Sequence, residues 1–365
     1  MTVSNKISYK QLVYLMILSR IVITLTYLPG LTSPPKNRDF WIAELLNFPF
    51  HILFAIPLYL LWRRYPEQSI IEYSQTLLGK LGKGIGFLYI WFFLHFAAIT
   101  LSQFDLFLTT MVMPETPILF FAASLTLFCA YAVRKDIEVI GRLSELIAPL
   151  IMVTVITILL LLFNEMRLEE LSPVLESGLM PVLYNGFTSA ARTTEIIGMT
   201  MILPFLNDRK KAERAILVSM IFISIFFVLI TIPVLTVYGI EHAKRLSFPF
   251  FQVVKMISIG NFLEHLESIH VGVWVLGVFV KISFYYYMAV LGLKQMFNFK
   301  DYKTFVLPMG TILVPLSIMI SPSVVELKEF TGYKTLTWYA LFYMVVIPGI
   351  LLIVSSFRKK EGIRL

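Results

Sequence analysis

Two stretches of the chain, SRIVITLTYLPG (19–30) and NGFTSAARTTEIIGMTMILP (185–204), are apolar enough to enter a membrane but poorly suited to an unbroken helix. The first is rich in Thr and β-branched residues and ends at Pro29 and Gly30. The second places Gly, Ser, Thr and two charged residues inside an apolar run. Such residues lower helix propensity or compete with the backbone for hydrogen bonds. We therefore expect both stretches to be helices that are interrupted within the membrane.

The rest of the chain is as apolar as these two stretches. Hydrophobic residues make up 58% of the sequence and charged residues 15%, against roughly 45–50% and roughly 25% in soluble domains. The sequence therefore predicts an all-α integral membrane protein with about ten transmembrane helices. The apolar runs that are long enough to span lie near residues 11–30, 40–62, 84–113, 117–133, 143–163, 183–206, 214–238, 269–298, 303–321 and 336–357.

The two interrupted stretches occupy the first and sixth positions among these runs. Broken helices at corresponding positions of two halves are the sequence sign of an inverted repeat. We therefore predict a 5+5 inverted repeat with broken helices 1 and 6. A single polytopic membrane domain covers 1–365, with its first repeat at about 11–163 and its second at about 183–357.

The basic residues predict the orientation of the chain. With the N-terminus inside, 20 of the 31 Lys and Arg residues fall in internal segments, 8 in external segments and 3 within spans. Because short cytoplasmic loops are enriched in Lys and Arg, this ratio predicts that both termini are cytoplasmic. The formal charge of +8 is spread over short loops, so a lipid bilayer is the expected partner and nucleic acid is not.

Several charged residues lie deep within predicted spans. At about 1.5 Å per residue from the span ends, Arg20, Arg192, Glu195 and Lys281 fall near mid-depth, and Asp105 lies in the outer half of the third span. A charge in hydrocarbon is costly unless it faces the protein interior. We therefore expect these residues to meet in one polar cavity.

Neighbouring polar residues extend this set. Thr188 recurs at helical spacing with Arg192 and Glu195, Tyr285 shares the helix face of Lys281, and Thr24 lies in the expected break of the first helix. An Arg and the N–H groups of a broken helix would hold a carboxylate, while a Glu or helix carbonyls would hold an ammonium group, which describes a zwitterionic amino acid. The candidate ligand-binding residues are Arg20, Thr24, Asp105, Thr188, Arg192, Glu195, Lys281 and Tyr285.

The same charges have structural interpretations. Arg192 and Glu195 are three residues apart and would form an ion pair that only fixes helix packing. Lys281 would snorkel to an interface, but its depth in the span instead favours a buried cation that replaces a coupling ion or pairs with Glu195. Arg20 would anchor a helix end if the first helix began later.

The composition argues against metal, cofactor and enzymatic chemistry. The five His residues and the single Cys129 offer no thiolate cluster, so neither a metal site nor a cofactor is expected. The chain also has no H-E-x-x-H, no G-x-S-x-G and no Cys nucleophile with a His partner, so we do not expect an enzyme.

Several stretches along almost the whole chain resemble the B subunits of spore-germination receptors, a branch of the amino acid–polyamine–organocation transporter superfamily. Arg20, Glu195 and Lys281 stand where that family commonly has the same residues. The stretches that carry the resemblance are LSR (18–20), MPETP (113–117), RKDIEVIGRLSELIAP (134–149), LSPVLESGLMPVL (171–183), LPF (203–205), FPFFQVVKMISIGNFLEHLESI (248–269), WVLGVFVKIS (274–283) and FKDYK (299–303).

This resemblance implies a LeuT-like fold in the inner membrane of a dormant spore. It further implies a subunit that binds a small germinant, often an amino acid, and works with a larger A-type subunit and a lipoprotein C-type subunit. The alternative is an autonomous secondary transporter for an amino acid or other small solute, coupled to protonation of Glu195 or Asp105.

Overall fold

The computed structural model describes residues 6–34, 38–257 and 266–357, and over these residues it is helical apart from one isolated bridge between Ile7 and Leu206. Fifteen helices follow one another in this part of the chain. They are α1 Tyr9–Thr24, α2 Phe40–Arg64, α3 Ile70–Leu78, α4 Lys80–Met111, α5 Ile118–Arg134, α6 Ile137–Leu162, α7 Leu179–Ala191, α8 Glu195–Ile202, α9 Ala212–Ala243, α10 Pro249–Lys255, α11 Leu266–Phe297, α12 Val306–Ile320, α13 Val324–Thr331, α14 Leu336–Leu341 and α15 Ile347–Phe357.

Seven helical segments within the described residues are long and apolar enough to cross a membrane. The three other predicted spans fall on shorter or interrupted segments: the fifth helix α5, the first helix α1, and α7 followed by α8. Large apolar side chains point outward, as in Leu160, Phe128 and Met319, which are 72%, 68% and 76% exposed. An apolar exterior of this kind suits lipid rather than water.

The first predicted break begins where α1 ends at Thr24. The Thr24 hydroxyl donates to the carbonyl of Ile21 at 2.5 Å, and the Thr26 hydroxyl donates to the carbonyl of Ile23 at 3.2 Å. Leu28 is not helical, with φ −121° and ψ 70°, because the residue before a proline avoids the helical region, and a short 3₁₀ turn follows at Pro29–Thr32. The helix therefore ends several residues before the proline and glycine that marked the break in the sequence.

The second predicted break separates α7 from α8. The helix stops at Ala191, residues 192–194 form a turn, and a new helix begins at Glu195. The side chain of Thr193 accepts a hydrogen bond from Arg20, and the side chain of Thr194 meets Tyr285. Both predicted interruptions, in the first and the sixth span, are therefore present.

The eleventh helix, α11, is the most buried of the seven long spans, since 83% of its most apolar 18 residues are buried. It packs against α1, α4, α5 and α6. Small residues allow this close approach, because Gly277 faces Val22 of α1 and Ile151 of α6, and Gly292 faces Ile71 and Ile90. This helix carries Lys281 and Tyr285 through the centre of the molecule.

In the connection between α9 and α11, the mixed apolar and polar residues of FPFFQVVKMISIGNFLEHLES (248–268) predict a helix that lies on the outer face. Its helix α10 is instead short and buried, and Phe251 packs edge-to-face on Phe107 of α4 with ring centroids 4.9 Å apart. Residues 258–265 of this connection lie outside the described residues. The expected surface helix is therefore wrong for 249–255, because its phenylalanines find a protein core to pack against.

Contacts between helix ends agree with the predicted sidedness of the chain. Arg64, at the end of α2, donates to Ser356 of α15 at 3.2 Å, and Arg209 pairs with Glu67 at 3.2 Å. The Ile7 amide donates to the carbonyl of Phe205 at 3.0 Å. These segments were all assigned to one side from their basic residues, and they meet at one end of the protein. That this end faces the cytoplasm stays a prediction, as do the boundaries of the two repeats, and Lys36 and residues 358–364 lie outside the described residues.

Replacing Gly277 by Ala is expected to destabilise the protein by about 1–3 kcal/mol, because overpacking a closed interface has a cost of that size. The added Cβ would lie 2.5 Å from Cγ2 of Val22 and 2.8 Å from Cδ1 of Ile151. Gly84 on α4 is the matched control, since a Cβ there meets nothing within 4 Å. Thermal unfolding of the purified chain in detergent measures both variants, and equal unfolding midpoints for G277A and G84A would contradict this packing.

Candidate functional site

A central cavity lies between the two helix breaks, with a volume of about 60 Å³. Such a volume is several times what one water needs but far below the roughly 300 Å³ of a drug-sized pocket. The cavity therefore suits a very small solute, or a larger one after the helices move apart. Its polar lining residues are Arg20, Thr24, Tyr27, Glu44, Thr100, Gln103, Ser189, Arg192, Thr194, Lys281 and Thr331.

Lys281 and Glu195 form a buried ion pair beside this cavity. The Nζ of Lys281 donates to Oε1 of Glu195 at 2.7 Å, and the two side chains are 7% and 1% exposed. The other oxygen of Glu195 accepts no hydrogen bond from the residues described. The pair joins α11 to the first residue of α8, which confirms the expectation that Lys281 pairs with Glu195. It also means that Glu195 is bound by a neighbouring helix rather than by Arg192.

Arg20 contacts the second break at Thr193, two residues before Glu195. Its Nε–H donates to the hydroxyl oxygen of Thr193 at 3.0 Å, and its guanidinium lies 4.5 Å from the ring centroid of Phe227. The Nε2 of His51 lies 2.8 Å from the same Thr193 hydroxyl. A guanidinium over an aromatic face in a dry site is stabilised by the ring quadrupole. Arg20 is therefore a buried residue of the cavity wall, and not a helix-end anchor.

Arg192 and Glu44 face the cavity from the turn after α7 and from α2. Both side chains are buried. The carboxylate of Glu44 accepts hydrogen bonds from Asn47 at 2.9 Å and from Ser189 at 2.8 Å. The Nη1 of Arg192 donates to no acceptor among the described residues, and a Cβ on Gly30 would lie 3.2 Å from its Nη2. Glycine at position 30 thus lets the backbone approach the guanidinium closely.

Thr24 completes the wall, and Tyr285 lies one contact behind it. The hydroxyl of Tyr285 shares a hydrogen bond of 2.8 Å with Thr194, and its ring stacks on Phe96 with centroids 5.7 Å apart. Thr24 lines the cavity at the end of α1, where helix carbonyls carry partial negative charge. Six of the eight predicted residues are therefore gathered around the cavity, either in its wall or one contact behind it.

The other two predicted residues lie elsewhere. Thr188 donates to the carbonyl of Asn185 at 3.0 Å within α7 and does not line the cavity. Asp105 on α4 faces Ser317 of α12, with 3.5 Å between Oδ2 and Oγ. The expected single face through Thr188, Arg192 and Glu195 does not form, because the helix is interrupted between Ala191 and Glu195.

The sequence analysis missed the polar residues of α2. Glu44, Asn47 and His51 are all buried, and they follow one another at spacings of three and four residues. That spacing in the otherwise apolar run FWIAELLNFPFHILFAIPLYLL is a helical stripe, so it was a usable signal. Glu44 was overlooked because it lies only four residues after the start of the span, where a charge is ordinarily an interfacial anchor.

The charges around the cavity do not balance if every group is ionised. Three cations, Arg20, Arg192 and Lys281, face two carboxylates, Glu44 and Glu195. Lys281 and Glu195 neutralise each other, and Glu44 is held by neutral donors. The residues described contain no group of three or more His, Cys, Asp and Glu side chains placed to hold a metal ion. The arrangement is therefore suited to bind a small anion or the carboxylate of a small molecule.

Replacing Glu195 by Gln is expected to destabilise the protein by about 3–5 kcal/mol, because it leaves the Lys281 ammonium buried without a counter-charge. Membrane insertion should be unaffected, since α8 becomes more apolar. The double variant E195Q/K281M should recover most of the lost stability, because an apolar pair can replace a buried ion pair at little cost. Unfolding midpoints of the three proteins test this, and a double variant as unstable as E195Q would contradict a direct interaction.

Comparisons with known proteins identify the family of this chain. The sequence matches the family described as "Spore germination protein" over residues 6–325. "Spore germination protein KB" of Bacillus subtilis (strain 168) is 32% identical over 365 residues, which cover 98% of this chain and 96% of that protein. "Spore germination protein YndE" of the same organism is 25% identical over 90% of each chain.

Solved structures of transporters share the fold at low sequence identity. A nucleobase-cation-symport-1 family transporter, Mhp1 in a closed conformation, has a TM-score of 0.67 and 14% identity over 96% of this chain and 80% of that chain. A Na⁺-coupled sialic acid symporter has a TM-score of 0.57 and 11% identity over 95% of this chain and 78% of that chain. These likenesses establish the transporter fold. Together with the match over residues 6–325 and the relative that is 32% identical, they show that this chain belongs to the spore germination protein family, whose members are membrane proteins of the germinant-receptor or permease type and not enzymes.

Proposed function

We propose that this protein is the membrane subunit of a germinant receptor and that it binds a small germinant with a carboxylate, most simply an amino acid, in the central cavity. The single observation that carries the proposal is the buried Arg192, whose Nη1 is unpaired among the described residues in a cavity between two broken helices. A guanidinium in this position matches a carboxylate in shape and in charge.

The opposite end of an amino acid has complementary partners in the same cavity. The Glu44 carboxylate lies in the wall, and the C-terminal end of α1 at Thr24 adds the partial negative charge of its carbonyl groups. An ammonium group placed between them would be held by charge on one side and by helix carbonyls on the other. The volume of about 60 Å³ favours the smallest amino acids in this conformation.

Signalling would follow from a shift between two arrangements of the helices around the bound germinant. A ligand that contacts α1, α2, α4 and the turn between α7 and α8 binds one arrangement more tightly, and so changes its population. We infer that larger A-type and lipoprotein C-type receptor subunits read this change, in the inner membrane of a spore. The termini of this subunit would then face the cytoplasm.

Thermal stabilisation of the purified chain tests the ligand class. Small amino acids at 100 times their dissociation constant should stabilise the fold by about 2.7 kcal/mol, whereas the corresponding amines without a carboxylate should have no effect. The R192Q variant should bind about 10–150-fold more weakly, because charge-assisted hydrogen bonds contribute about 1.5–3 kcal/mol. R63Q is the matched control, since Arg63 is exposed and lies outside the cavity. Equal binding of the amines, or full binding by R192Q, would contradict the proposal.

The transporter fold favours a second candidate function, an autonomous carrier for an amino acid or another small solute. Uptake of the stabilising amino acid into vesicles that contain only this chain separates the two functions. A sensor subunit should bind the solute without accumulating it, whereas a proton-coupled carrier should accumulate it when a pH gradient is applied. Concentrative uptake by the isolated chain would favour the carrier.

A further inference from the structure

Asp105 is a deeply buried carboxyl group that the central cavity does not use. It lies on α4, its side chain is 0% exposed, and it faces α12 rather than the broken helices. Oδ1 accepts no hydrogen bond from the residues described. No Lys, Arg or His among the described residues forms a salt bridge with it. An ionised carboxylate in such a place would be strongly disfavoured.

Ser317, the side chain that lies within hydrogen-bond distance of the Asp105 carboxyl group among the described residues, cannot neutralise it. The Ser317 hydroxyl carries a single hydrogen, which it donates to the carbonyl of Val314 at 2.8 Å. The Oγ of Ser317 lies 3.5 Å from Oδ2 of Asp105. The serine oxygen is therefore free to act as an acceptor towards Asp105.

We propose that Asp105 is a proton-binding site between α4 and α12, and that it holds its proton as a neutral carboxylic acid in this conformation. The proton on Oδ2 then faces the Ser317 oxygen, and the Ser317 hydroxyl in turn donates to the carbonyl of Val314. Loss of the proton would leave an unpaired negative charge between the two helices and favour a conformation that admits water or a cation. This proton site depends only on contacts between α4 and α12, so its test does not depend on whether the central cavity binds a germinant.

A proton fits this site better than a metal ion. Ca²⁺ and Mg²⁺ take six or more oxygen ligands, whereas Asp105 belongs to no group of three or more His, Cys, Asp and Glu side chains among the described residues that could hold a metal ion. Ser102 lies one turn before Asp105 on α4, and its hydroxyl has no partner among the described residues. Even with Ser102 included, the ligand set falls short of what a metal ion requires.

Few other titratable groups act on Asp105. Tyr27, in the break after α1, is close enough to interact with it electrostatically. No salt bridge links Asp105 to a described residue of the elements that pack on α4, namely α3, α5, α11, α12 and α13. The Tyr27 hydroxyl donates to the carbonyl of Gln103 at 2.9 Å, and both residues line the central cavity. The proton site therefore lies immediately behind the cavity wall.

Thermal unfolding of the purified full-length chain between pH 6 and pH 9 tests the proposal. The unfolding midpoint of the wild type should fall as pH rises, because deprotonation of Asp105 leaves a buried charge. The fall between pH 6 and pH 9 should be smaller in D105N than in the wild type by at least about 2 °C. Asn has the shape of the neutral acid and should fold. The matched control is E115Q, which removes an exposed carboxylate from the loop after the same helix and should keep the wild-type pH dependence. Identical pH dependence in wild type and D105N would overturn the proposal.

Two further measurements keep the test decisive. If added Na⁺ or K⁺ restored the wild-type midpoint at pH 9 but not that of D105N, the site would take a metal cation and the proton assignment would be wrong. If D105N failed to fold, infrared spectra of S317A would serve instead. Removing the Ser317 acceptor should shift the stretching band of a protonated carboxyl group, and an unchanged spectrum would contradict the proposal.

Discussion

The ion pair between Lys281 and Glu195 fixes the centre of this protein. Both groups are buried within the membrane-spanning body, where a single unpaired charge would be strongly destabilising, so each requires the other. Lys281 lies on α11, the most buried of the long spans, and Glu195 opens α8, the second half of the interrupted sixth span. The pair therefore holds a short helix of eight residues against the rigid core and allows the chain before it to leave the helical conformation.

The cavity follows from the two interruptions that this arrangement stabilises. A break in a membrane helix exposes backbone groups and is tolerated only where protein or a polar cavity satisfies them. Here Thr193 and Thr194 in the second break bind Arg20 and Tyr285 through their side chains. Lys281 and Glu195 offset each other, so the remaining guanidinium groups give the cavity a surplus of positive charge. That surplus, more than the fold, indicates what kind of molecule the cavity can hold.

The fold and the family carry different parts of the functional argument. A transporter fold shared at 14% and 11% identity fits a receptor and a carrier equally well, because both need a central site whose surroundings can rearrange. The relation to germination proteins, at 32% identity over nearly the whole chain, is what favours a sensor. Asp105 adds a separate consideration, since a neutral acid behind the cavity wall is a group through which pH could act on either function.

The sequence by itself determined that the chain lies in lipid, the approximate number of spans and the presence of breaks in the first and sixth spans, because these depend on local composition, including the Thr residues of both spans. It also predicted that Arg20, Arg192, Glu195 and Lys281 meet, since a buried charge in a membrane must find a partner or a cavity. Which partner each one finds was decided by tertiary structure. Glu195 pairs with Lys281 of another helix, Glu44 of α2 lines the cavity, and Asp105 faces α12. The reason is that the rotation of a helix about its axis depends on how its neighbours pack and not on the depth of a residue along the helix.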